Sequence, residues 1–159
     1  MLTAPSDYDH AEVIPGLYVG AFPPASPFDW GADVVVSLAS AHACQSVPRN
    51  KLLIHLPIIE GEAPPDEVRR LARLIASQLD DGRCVFLHCV AGRDRSPMLA
   101  ARVLIEQGWE PKDAVQRVRA ARMGSLGEIS SGVSGTSRIT YASWLLSEIR
   151  ASSTLEAWT

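Results

Sequence analysis

The chain has 159 residues, which suits one domain with a proper core and nothing to suggest a second; 47% of its residues are hydrophobic and 21% charged. A net charge of −3 gives no support to nucleic acid or an anionic membrane surface as the main partner. Three cysteines, Cys44, Cys84 and Cys89, make an odd set without metal-ligand spacing, which fits a reducing cytoplasm better than an oxidising compartment.

In chain order, Met1 to His10 is polar and acidic and lacks the basic segment and apolar core of a signal peptide, so residues 1–11 are expected to be mobile. No apolar run approaches the length of a membrane-spanning helix. Val13 to Gly20 reads as two short strands joined at Pro15-Gly16. Pro23, Pro24 and Pro27 then break the chain ahead of a short helical piece around Phe28 to Trp30. The β-branched run Asp33 to Leu38 predicts a buried strand, Ala39 to Asn50 a connection with one helical turn, and Leu52 to Leu56 the next strand.

Pro57 to Pro65 is punctuated by proline and glycine and reads as a loop. From Asp66, Val68, Leu71, Leu74, Ile75 and Leu79 recur at helical spacing, and Asp80-Asp81-Gly82 ends the helix. A strand over Val85 to His88 leads through a short loop into a helix from Arg95 to about Gln107. Pro111 opens another helix, with Ala114, Val115, Val118 and Ala121 or Arg122 along its apolar side and Arg117, Arg119 and Arg122 as a wet face. Gly124 to Ser137 reads as a flexible loop, and a last helix from Ile139 to about Arg150 would present Ile139, Ala142, Leu145, Leu146 and Ile149 to the core. Strands alternating with helices predict an α/β fold with a central, mostly parallel sheet flanked by helices.

Ligands of such sheets sit beyond the carboxyl ends of the strands, which is where His88-Cys89-Val90-Ala91-Gly92-Arg93-Asp94-Arg95-Ser96 falls. If the chain turns back on itself there, the amides of Val90, Ala91, Gly92, Arg93, Asp94 and Arg95 point inward. With the N-terminus of the following helix they make a concave set of donors suited to a tetrahedral oxyanion. Gly92 stands where a positive φ or close approach is needed, and Arg95 supplies a planar fork for two phosphate oxygens. A free thiol titrates near ~8.5, whereas helix N-termini and cationic neighbours bring cysteines to about 3.5 to 7.5. Cys89 is therefore expected as a resting thiolate beneath a bound phosphoryl group.

His88-Cys89, five residues, then Arg95-Ser96 resembles the signature loop of the cysteine-based protein tyrosine phosphatases, and the short chain is most similar to their dual-specificity branch. The opening strand, proline turn and Leu17-Tyr18-Val19-Gly20 resemble that branch as well. The resemblance implies a proton-donating aspartate about thirty residues before the cysteine. Glu60, 29 residues upstream of Cys89, stands closest to that position, with Glu62 and Asp66 as neighbours.

Asp94 is the second candidate acid: it matches an acidic position in lipid-directed and some bacterial relatives, and could instead pair with Arg93 and shape the loop. Arg93 itself is read as a second phosphate contact or a solvent-facing cation. The resemblance gives Ser96 the hydroxyl that helps the cysteine sulfur leave, and His88 a supporting place beneath the loop. Relatives place a glutamine or asparagine within what is here Gly124 to Ser137; neither occurs, leaving Glu128, Ser130 and Thr136 to orient the water. His10, His42 and His55 form no ligand pattern, Cys44 and Cys84 read as small buried hydrophobes, and a protective disulfide of one of them with Cys89 is conceivable.

The expected activity is hydrolysis of phosphate monoesters, on phosphotyrosine and also phosphoserine or phosphothreonine, through a phosphocysteine, without metal or cofactor. The expected partner is a phosphorylated protein or small phosphoester. The alternatives are a phosphate-binding pseudophosphatase and a phosphoinositide or small-metabolite phosphatase.

Overall fold

The computed structural model describes residues 1–127 and 140–147. Five strands, β1 (His10–Ile14), β2 (Leu17–Gly20), β3 (Val34–Ser37), β4 (Leu52–His55) and β5 (Val85–His88), form one sheet in the order β1-β2-β5-β3-β4. β2, β5, β3 and β4 run parallel, and β1 folds back antiparallel on β2 through the Pro15-Gly16 turn. Helices α1 (Glu67–Asp80), α2 (Arg95–Glu106) and α3 (Pro111–Ala121) follow, and a 3-10 turn covers Pro27–Trp30. The chain thus adopts the expected α/β architecture around a mostly parallel sheet. Among the described residues no helix is long and apolar enough to cross a membrane.

The two-residue period of the strands divides their side chains between two layers. Val34, Val36, Val85 and Leu87 join one core with the buried residues of α1, α2 and α3. Val35 and Phe86 face the other way, into a smaller cluster with Leu2, Tyr18, Phe28, Trp30, Cys44 and Cys84. Burial on both faces is why β3 and β5 read as unbroken apolar runs rather than alternating ones. The flanking is unequal: α1, α2 and α3 lie on one face, and the N-terminal segment with the 3-10 turn roofs the other.

That roof corrects the expectation of a mobile start. Leu2 is buried, the Thr3 N–H donates to Trp30 O at 2.8 Å, and the Tyr8 ring packs 5.1 Å from Trp30 and 6.1 Å from Phe86. A sheet face without a helix must be covered by something apolar, and this segment supplies it. No helical turn forms between β3 and β4. On α1 the buried stripe is Val68, Leu71, Ala72, Ile75 and Ala76, so the two alanines take the inward place expected of Leu74, which faces solvent.

Residues 141–147 are helical, with Tyr141 and Leu145 buried and Leu146 outside. Ile139 and Ile149 lie outside the described residues. So does most of the expected Gly/Ser loop, including Glu128, Ser130 and Thr136. Its first residues are not loose, since Leu126 is buried and its N–H donates to Arg93 O at 2.9 Å.

Candidate active site

The loop from Cys89 to Asp94 leaves β5 between its two parallel neighbours and enters α2. Its backbone orientation follows from where its carbonyls go. Val90 O accepts from Phe22 N–H at 2.8 Å, Ala91 O from Arg122 Nη2 at 3.2 Å, Gly92 O from Arg122 Nε, and Arg93 O from Leu126 N–H at 2.9 Å. Four successive carbonyls therefore point away from the loop centre. In a planar trans peptide the next N–H points the opposite way, so the amides of Ala91, Gly92, Arg93 and Asp94 turn inward. Gly92 N–H donates to Cys89 Sγ at 3.2 Å. Gly92 has φ +67°, and a Cβ there would run into the Gly20 carbonyl and come within 2.6 Å of the Ala21 nitrogen. Only glycine meets both conditions.

Cys89 lies at the base of this cradle, 2% exposed, with Ser96 Oγ 3.4 Å from its sulfur. His88 is fully buried, its Nδ1 3.2 Å from Cys89 O, with Phe22 edge-on at 5.2 Å. That contact assigns the proton to Nδ1, and burial lowers the imidazole pKa to about 4. His88 is thus a neutral support. Arg95 opens α2 and is steered by two other loops: Nη1 donates to Ile58 O at 3.0 Å and lies 3.4 Å from Leu38 O. Its Nε is buried and has no hydrogen-bond partner among the described residues. A buried guanidinium N–H without a partner, at the end of a loop with inward amides, is a donor suited to an oxyanion.

The two candidate acids meet. Asp94 does not cap α2 with its side chain; its pKa is raised to about 6 by burial, a hydrogen bond with Glu60 and the charge of Glu60, against the pull of Arg95. Two carboxyls this close hold one proton between them more readily than none. Asp94 does not pair with Arg93, as the alternative reading had it: Arg93 donates to Met123 O and lies 3.5 Å from Asp9 Oδ2. Glu62 is exposed, and Asp66 faces solvent beside Arg69. Tyr141 is buried, which pushes its hydroxyl pKa up, and the charges of Arg95, Glu60 and Asp94 act on it.

One further expectation fails and another holds only in part. Cys44, Cys84 and Cys89 are all free, and the strand between Cys84 and Cys89 holds them about 16 Å apart at ~3.3 Å per residue, far beyond disulfide reach. Of the three arginines expected as a wet face, Arg117 and Arg119 are exposed as expected, their heads donating to Val13 O at 2.7 Å and to Leu126 O, whereas Arg122, just past α3, is 3% exposed. Arg122 was discoverable, because a cation four residues after Val118 sits on the helix's own apolar stripe. Asp9, bonded to Arg122 from 113 residues away, left no local signal.

No family model matches the sequence. Over 77 residues the chain is 40% identical to protein tyrosine phosphatase type IVA 3 of Mus musculus, covering 46% of this chain and 44% of that one. Over 102 residues it is 35% identical to type IVA 2 of the same organism, covering 60% of each. The chain spans about half the length of the curated relatives it matches. The crystal structure of a mouse putative dual specificity phosphatase complexed with zinc tungstate shares the fold, with a TM-score of 0.69 over 96% of this chain and 92% of that one at 17% identity. Over part of its length the chain is similar in sequence to protein tyrosine phosphatases of type IVA, and it shares the fold of a dual specificity phosphatase.

Proposed function

We infer that the protein is a cysteine-dependent phosphatase that hydrolyses phosphate monoesters through a phosphocysteine. The substrates of this reading are phosphotyrosine, phosphoserine and phosphothreonine in proteins, or small phosphoesters. One observation supports it: the loop turns its carbonyls outward, so that its amides face inward with Gly92 N–H on the Cys89 sulfur, and Arg95 at the end of that loop keeps a buried Nε without a partner among the described residues, donors suited to phosphoryl oxygens. In the first step the sulfur attacks phosphorus, the bond to the alcohol oxygen breaks, and that oxygen takes the proton held by the Asp94–Glu60 pair. The amides and Arg95 stabilise the equatorial oxygens. In the second step water attacks the phosphocysteine, its proton returns to the carboxyl pair, and the sulfur leaves with Ser96 Oγ as its hydrogen-bond partner. Inorganic phosphate is the product. A reducing, cytoplasmic setting belongs to this reading and is supported by the free thiols.

The test is steady-state hydrolysis of an aryl phosphate in EDTA by wild type and Cys89→Ser. Wild-type turnover that falls by on the order of 10⁴-fold or more in the variant supports the thiolate enzyme. A wild type that binds phosphate and never releases alcohol overturns it in favour of a phosphate-recognition module.

A further inference from the structure

Four outward carbonyls need four donors. The outer two use backbone N–H groups, of Phe22 and Leu126. The middle two depend on one side chain. Arg122, the residue after α3, gives Nε to Gly92 O and Nη2 to Ala91 O, and turns its other edge to Asp9, with Nη1 2.9 Å from Oδ1 and Nη2 2.9 Å from Oδ2. A buried guanidinium is costly without a counter-charge. Asp9 provides one, and the hydrogen bond from Arg122 holds its carboxyl below the usual carboxylate range.

Asp9 is itself anchored: its carbonyl accepts from Ala21 N–H at 3.1 Å, and the neighbouring Tyr8 hydroxyl donates to Ala21 O. A planar fork can grip a carboxylate and two carbonyls at once, which a lysine ammonium cannot.

Resting on the phosphatase reading, we propose that Arg122 and Asp9 are positioning residues for the reaction. Together they fix the Ala91–Gly92 and Gly92–Arg93 peptide planes, so that Gly92 N–H stays on the Cys89 sulfur and Arg93 N–H stays on the phosphoryl oxygens. Neither side chain touches the substrate. The N-terminal segment is thereby part of the site, although it is the stretch of chain furthest in sequence from α3.

The test compares wild type, Arg122→Met, Arg122→Lys and Asp9→Asn as full chains. It reads the thermal midpoint, kcat and KM on an aryl phosphate, and the hydrogen exchange of the Gly92 and Arg93 amides with and without inorganic phosphate. Loss of orientation at reacting groups lowers the rate rather than ground-state binding. Arg122→Met is expected to lose about 10²-fold in kcat with KM within about threefold, Asp9→Asn about tenfold, and lysine is expected not to rescue. Phosphate should protect the two amides in wild type and not in Arg122→Met.

A folded Arg122→Met with kcat within about twofold of wild type overturns the proposal. If that variant does not fold, the half-exposed Asp9 carries the test, and an unchanged kcat in Asp9→Asn has the same force. If wild type itself fails to turn over, the phosphatase reading falls alone. The exchange data then still decide: phosphate protection lost in the variants supports the clamp, and protection retained overturns it.

Discussion

The loop after β5 and the loop after β4 meet at Asp94 and Arg95 and are held in different ways. Residues 90–93 of the first have every carbonyl bonded outside the loop, to Phe22, Arg122 and Leu126. Among the described residues, 57–65 of the second are held by Ile58 N–H on Leu38 O at 3.0 Å, Ile58 O under Arg95 and the Glu60 carboxyl on Asp94, while Glu62 N–H turns back on Ile59 O at 3.3 Å. Ile59 is 67% exposed and Glu60 faces solvent on one side. The nucleophile's cradle is thus fixed at several points, while half of the proton-holding pair sits on an exposed residue of the other loop. Oxyanion stabilisation demands donors already in place, whereas a proton donor must part from its partner to reach the leaving oxygen.

Substitutions can break that contrast at either end. The largest effect is expected in the clamped loop, where Gly92→Ala should cost about 2–4 kcal/mol of stability and abolish phosphate binding, read by denaturant melts and calorimetry. Asp94→Asn should lower kcat by about 10²–10³-fold and remove the fall in rate as pH rises through about 6, read from a pH–rate profile.

The same substitution should raise stability. Asp94 binds its proton more tightly folded than unfolded, so ionising it above about 6 costs the native state. The asparagine should gain about 1 kcal/mol at pH 7–8, after allowance for partial exposure, and the gain should vanish towards pH 4, where the carboxyl is neutral. Glu60→Gln removes a charge that raises Asp94, so the high-pH fall in rate should move to lower pH with kcat down about tenfold or less. Ile59→Ser should change stability by about 0.5 kcal/mol or less in the same melts, because its side chain already faces water. A large cost there would mean that the second loop is as firmly held as the first.

The sequence made the inner side of the site legible and hid the outer side. Val85 to His88 and Arg95 to Glu106 were readable because β-branched runs and helical periodicity are local, and Cys89, Gly92, Arg95 and Ser96 because their chemistry lies within eight residues. Ala72 and Ala76 displaced Leu74 from the core since close packing of α1 on α2 favours small side chains, a tertiary choice that periodicity does not encode. The roof formed by Leu2 and Tyr8, the Asp9–Arg122 fork and the meeting of Glu60 with Asp94 all join residues far apart in sequence. Arg122 carried the nearest thing to a signal, a charge on an apolar stripe, and it is the residue on which the outer side depends most.

The layering of the sheet has a further bearing on how the protein would withstand peroxide. Cys44 and Cys84 pack in the smaller layer and Cys89 in the larger, on the opposite face of β5. A sulfenic acid formed on Cys89 would have no resolving thiol in its own layer, so its return to the thiol would depend on a small reductant entering the cradle from outside. Further oxidation to the sulfinic acid would then compete directly with that entry, and a bound phosphate, by filling the cradle, would slow both.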